Sequence, residues 1–144
     1  MSIIDIKSIV DDFDNSVFQN RQNRVLFNTM DRVQYFLEYN TLNLGLPRRV
    51  GKTEFVKTNA KPWDLIVVQG YCNIQSFSDC KCDVITIGLL TEMASDKGRK
   101  PQIPRTIYFD EICYNRYPKE IIEIYRRYAQ DLEQRFVFLN TPMR

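Results

Sequence analysis

A chain of 144 residues, 44% hydrophobic and 26% charged, is long enough to bury one core and too short for two ordinary domains, so a single domain over residues 1–144 is expected. No apolar run approaches the roughly 18 residues of a membrane span. The N-terminal MSIIDIKSIVDD has acids among its apolar residues and no basic leader, so it does not read as a signal peptide, and a cytoplasmic location with no membrane partner is expected. There is no histidine, which removes every Ser-His and Cys-His nucleophile pair. Of the four cysteines, Cys72, Cys80, Cys82 and Cys113, reduced thiols are the expectation for a non-secreted chain; the one-residue gap in Cys80-Lys81-Cys82 is too short for ordinary zinc spacing.

Taken in chain order, residues 3–13 put Ile6, Ile9, Val10 and Phe13 on one helical face, and residues 22–38 do the same with Leu26, Met30, Val33 and Leu37. Two amphipathic helices thus form a helical segment over residues 1–40, ahead of a core over residues 41–144. Residues 41–46 read as a short strand, 51–59 as a helix, and 64–69, rich in Ile and Val, as a strand. Residues 84–97 are ambiguous: VITI favours a strand, LLTEMAS a helix, and the expectation leans to a helix that begins late. RTIYFDE at 105–111 is an apolar run ending in two carboxylates, as for a buried central strand with acids at its C-terminal edge. A helix from Pro118 follows, with Ile121, Tyr125, Tyr128 and Leu132 on one face, and RFVFLNTPMR is a last strand stopped by Pro142. This alternation predicts an α/β fold with a mainly parallel sheet flanked by helices.

The net charge of +2 is unevenly spread. Arg48, Arg49, Lys52, Lys57 and Lys61 gather against Glu54, and Lys97, Arg99, Lys100 and Arg105 share a stretch with Gly98, Pro101 and Pro104 that reads as a loop. Such loops suit phosphate backbones, so DNA is an expected partner; a solvated surface is the plainer account of the second cluster.

LGLPRRVGKT, residues 44–53, sits between the first strand and its helix, where a phosphate-binding loop belongs, although Leu46 stands where the first glycine of the usual pattern falls and Gly45 comes one place early. In such a P-loop NTPase, Pro47, Val50, Gly51, Lys52 and Thr53 line the phosphates. The glycine supplies the turn, the lysine a point charge to the β and γ oxygens, and the threonine a hydroxyl to Mg²⁺. Asp110 would serve the Mg²⁺ shell and Glu111 would act as catalytic base on the attacking water. Strand alternation sends these adjacent acids to opposite sides. ATP and Mg²⁺ are the expected cofactors.

PRRVGKT, with arginines in place of the early glycine, resembles the loop of the ATPase domain of the large terminase subunit, the motor that packages DNA into phage heads. YFDE resembles that family's acidic strand, and LNTP at 139–142 is similar to its third motif, a strand ending in Ser/Thr-Thr-Pro or a close variant. The resemblance spans residues 41–144 and implies an ATP-hydrolysing motor that moves viral double-stranded DNA in the host cytoplasm, as a homo-oligomeric ring with portal or other packaging proteins. It implies that Arg48 or Arg49 acts on the γ-phosphate as an arginine finger in cis, and that Asn140 or Thr141 senses it. The C-terminal nuclease domain of full-length terminases has no counterpart in these residues, which suits either a fragment or a reduced stand-alone ATPase. Two alternatives stay open: an AAA or signalling-type P-loop ATPase, and a nucleotide- or nucleic-acid-binding module without turnover.

Overall fold

The computed structural model describes residues 5–20, 24–46, 51–88 and 103–141. Among them five strands, β1 (Thr41–Gly45), β2 (Leu65–Val68), β3 (Asp83–Thr86), β4 (Thr106–Asp110) and β5 (Arg135–Asn140), form one sheet in the order β1-β5-β4-β2-β3. Every pairing is parallel. Parallel neighbours require crossovers, and the helices α1 (Ile6–Asn20), α2 (Arg24–Thr29), α3 (Arg32–Tyr39), α4 (Lys52–Asn59), α5 (Tyr71–Ser76) and α6 (Pro118–Tyr128) flank the sheet. The expected α/β architecture is therefore present. No helix among the described residues is long and apolar enough to cross a membrane.

Strands covered on both faces are apolar on both, and β2 and β4 are buried at every position. On one face, Ile6 and Val10 of α1 and Val56 of α4 meet Ile66, Val68, Tyr108, Val137 and Leu139. On the other, Tyr35 and Phe36 of α3 and Ile121, Ile124 and Tyr125 of α6 meet Leu65, Val67, Ile107, Phe109, Phe136 and Phe138. Phe109 stacks on Phe138 with centroids 4.1 Å apart, which ties β4 to β5, and Tyr125 stacks on Phe136 at 4.0 Å, which seats α6 on β5.

Two expectations need correcting. The first helix runs on to Asn20, because Val17, fully buried, continues the stripe of Ile6, Val10 and Phe13. The single helix expected over 22–38 is two, α2 and α3, because the Asp31 carboxylate caps the second by accepting from the Gln34 N–H at 3.1 Å. Replacing Asp31 with alanine should lower the unfolding free energy by about 1 kcal/mol in urea titration, as for loss of other N-caps. Over residues 84–97 the strand comes first and the helix begins late: Val84 and Ile85 lie in β3 and pair with Ile66 and Val67, β-branched against β-branched, and Ile87 and Gly88 are already helical. Residues 89–97 of that segment lie outside the described residues.

Candidate functional site

Because all five strands run the same way, their C-terminal ends share one edge, where open α/β sheets bind ligands. At that edge β1 gives way to Leu46, whose N–H donates to the carbonyl of Asn140 at the end of β5, at 2.7 Å. Pro47, Arg48, Arg49 and Val50 lie outside the described residues. The chain resumes at Gly51, the N-cap of α4, with φ 89° in the left-handed region. A side chain there would meet nothing within 4 Å, so the need for glycine comes from the backbone conformation itself.

Lys52, the first residue of α4, is 8% exposed although it carries a charge. Its ammonium donates to the Leu46 carbonyl at 3.1 Å and to the Thr141 hydroxyl, and pairs with Glu111 Oε1 at 2.9 Å. Glu111 has φ 57°, an unusual value for a non-glycine residue. Strand alternation therefore stops at Asp110: the left-handed turn swings Glu111 back over the sheet edge, where its N–H donates to the Leu139 carbonyl at 3.0 Å. Its carboxylate accepts the Thr141 N–H at 3.0 Å and the Thr141 hydroxyl at 2.8 Å. Burial works against the ionised form of Glu111, but the Lys52 ammonium and the Thr141 donors outweigh it and hold the carboxyl below its ordinary range.

Asp110 is treated in the opposite way. Only 7% exposed at the end of β4, its carboxyl is pushed up to about 6 by burial first and by the neighbouring Glu111 charge second, with Lys52 pulling against both. Its Oδ1 is buried without a hydrogen-bond partner among the described residues, and so is Oδ1 of Asn140. A carboxyl with a folded value near 6 and an ordinary value of 3.8 binds its proton more tightly in the folded chain. Ionisation therefore costs stability progressively between about pH 4 and 6, and in full above that window. Asp110→Asn should accordingly stabilise the metal-free protein at pH 7.5, by about 1 kcal/mol or more, and give no gain at pH 4; thermal melts at the two pH values check this.

Of the sequence-predicted residues, Gly51, Lys52, Asp110, Glu111, Asn140 and Thr141 come together at this edge, and Thr53 follows Lys52 in the first turn of α4, half-buried. Gln69 was not foreseen: it follows β2 at the same edge and its side-chain amide donates to the Glu111 carbonyl, fixing the unusual turn. The available signal was its place directly after the apolar run LIVV. Of the basic cluster Arg48, Arg49, Lys52, Lys57 and Lys61, Lys61 parts from Lys52. Since α4 carries the chain back across the sheet, Lys61 lies beyond it at the opposite edge, as does Arg105, whose guanidinium meets Asp131 at 3.4 Å and Glu133 at 3.9 Å. Lys97, Arg99 and Lys100 are outside the described residues.

No protein-family model matches the chain, and no curated protein matches it in sequence.

Proposed function

We propose that the chain is a P-loop ATPase that binds Mg-ATP at the C-terminal edge of its sheet and hydrolyses it, in the manner of the terminase-type motors its motifs resemble. The observation that carries this is the convergence of Lys52, Glu111 and Thr141, each from a different one of the three motifs, within hydrogen-bonding distance of one another. The sheet order supports it, because β5 lies between β1 and β4 and brings Asn140 and Thr141 between the glycine-lysine turn and the acids. Lys52 supplies charge to the phosphates, and the α4 N-terminus supplies backbone donors.

The residues present suit Mg²⁺: the buried Oδ1 of Asp110, without a hydrogen-bond partner among the described residues, is the kind of hard oxygen that this ion takes, with the Thr53 hydroxyl beside Lys52 in the helix's first turn. Asp110 and Thr53 would hold the ion, which would neutralise phosphate charge when bound. Glu111, kept ionised by its neighbours, accepts the proton of the water that attacks the γ-phosphorus as the bond to the leaving ADP oxygen breaks. In this reading Arg48 or Arg49 contacts the γ-phosphate and Asn140 or Thr141 senses it.

Phosphate release from Mg-ATP by the purified chain tests the proposal, with calorimetry for binding. The absence of both binding and turnover overturns it, whereas binding without turnover moves the assignment to a nucleotide-binding module. For the motor's proposed partner, double-stranded DNA, affinity resting on backbone phosphates should fall steeply between about 50 and 200 mM salt in anisotropy titrations; an interaction insensitive to salt would remove the basic residues from that role.

A further inference from the structure

The Lys52 ammonium is engaged in a particular way. In a phosphate-binding loop it should face an anion, and here the anion beside it is the Glu111 carboxylate, 2.9 Å away. The same carboxylate takes both the N–H and the hydroxyl of Thr141. Lysine ammonium, backbone N–H and hydroxyl are the donor types that bind phosphate oxygens. Glu111 thus holds as a carboxylate the set of donors that a terminal phosphate would use.

We propose that the Glu111 carboxylate is an intramolecular competitor for nucleotide phosphate, so that phosphate binding at Lys52 and release of Glu111 from Lys52 and Thr141 are a single event. This deepens the nucleotide-binding reading and rests on it. The geometry gives the competition its physical basis. Lys52 is nearly buried, so loss of its close Glu111 partner without an incoming anion to replace it would be costly. Glu111, by contrast, is 40% exposed on its side chain and can turn to solvent once displaced. Its backbone is held meanwhile by Gln69 and by the Leu139 carbonyl, so the displaced side chain stays at the sheet edge. Two consequences follow. The base is tied up while no phosphate is bound, and the Thr141 segment after β5 exchanges its carboxylate partner at the moment of nucleotide binding. Occupancy of the site is in this way transmitted to the end of a central strand.

The test is calorimetry with Mg-ADP and with a non-hydrolysable Mg-ATP analogue, which keeps turnover out of the measurement. Glu111→Gln retains the side-chain volume and removes the competing charge, so it should bind the analogue roughly three- to tenfold more tightly than the parent, the scale of a partly exposed ion pair. Glu111→Ala, which removes the acceptor altogether, should do so at least as strongly. Equal or weaker binding by both variants, with Lys52→Ala losing affinity, overturns the competition and leaves the nucleotide site standing. Equal binding by the parent and Lys52→Ala overturns the site itself, and the competition with it. Melting curves of the variants identify any that fail to fold, and tighter binding by either folded variant supports the proposal.

Discussion

Replacing Lys52 with alanine should lower the affinity for Mg-ATP by about 10²-fold, because a charge-assisted contact to phosphate is worth roughly 1.5–3 kcal/mol and each 1.4 kcal/mol is a factor of ten. The side chain is 8% exposed and its ammonium lies against Leu46, Thr141 and Glu111, so it is held at the sheet edge before any ligand arrives and little ordering entropy opposes its use. The substitution also leaves Asp110 and Glu111 together without their cation. Their mutual repulsion then adds to the cost of bringing a polyphosphate to the same edge. Calorimetric titration of the variant with Mg-ATP gives the answer, and affinity equal to the parent's would remove Lys52 from the phosphate site.

The second large effect belongs to Glu111. Changed to glutamine, it retains its volume and its acceptor oxygen but loses its basicity, so nucleotide should still bind while hydrolysis falls by about 10²-fold or more. The environments of the two acids differ in the way the proposed roles require. Glu111 is held ionised by Lys52 and Thr141, as a base must be, whereas Asp110 is buried, lacks a partner at Oδ1 among the described residues, and titrates near 6 until a cation compensates it. Asp110→Asn should therefore impair binding and hydrolysis together. Single-turnover measurement of the two variants distinguishes the roles, and parental hydrolysis by Glu111→Gln would favour a nucleotide-binding module that does not use this base.

What was legible in the sequence was mostly what periodicity and edge chemistry encode. The run TIYF with its two terminal acids reported a strand buried on both faces, and β4 is that strand. Pro118 marked the first turn of α6, and Ile121, Tyr125 and Tyr128 behind it face the sheet, whereas Leu132, expected on the same face, lies beyond the helix's end at Tyr128 and packs against the core from the following turn. The outcome at VITI was decided by tertiary pairing: local propensity weighed VITI against LLTEMAS, but β2 offered an unpaired edge, and Asp83–Thr86 took it. The turn at Glu111 was invisible because alternation describes strands, and nothing in the residue itself announces φ 57°. Lys61 proved remote from Lys52 for a related reason. Proximity in sequence survives only within an element, and α4, at about 1.5 Å per residue, takes Lys61 to the far edge of the sheet from Lys52.

The place of β5 also bears on how the molecule assembles. Among the described residues β1 has one strand neighbour, and that neighbour is the last strand in the sequence: Thr41 pairs with Phe136, and Gly45 with Asn140. A nascent chain therefore emerges with the strand ahead of Lys52 early and must keep it waiting, because the surface it adds to does not exist until residues 135–140 have left the ribosome. Contacts so distant in sequence close slowly, and the waiting strand is an exposed edge that other chains can join. The edge that carries Lys52, Glu111 and Thr141 is thus complete only once β1 has paired with β5.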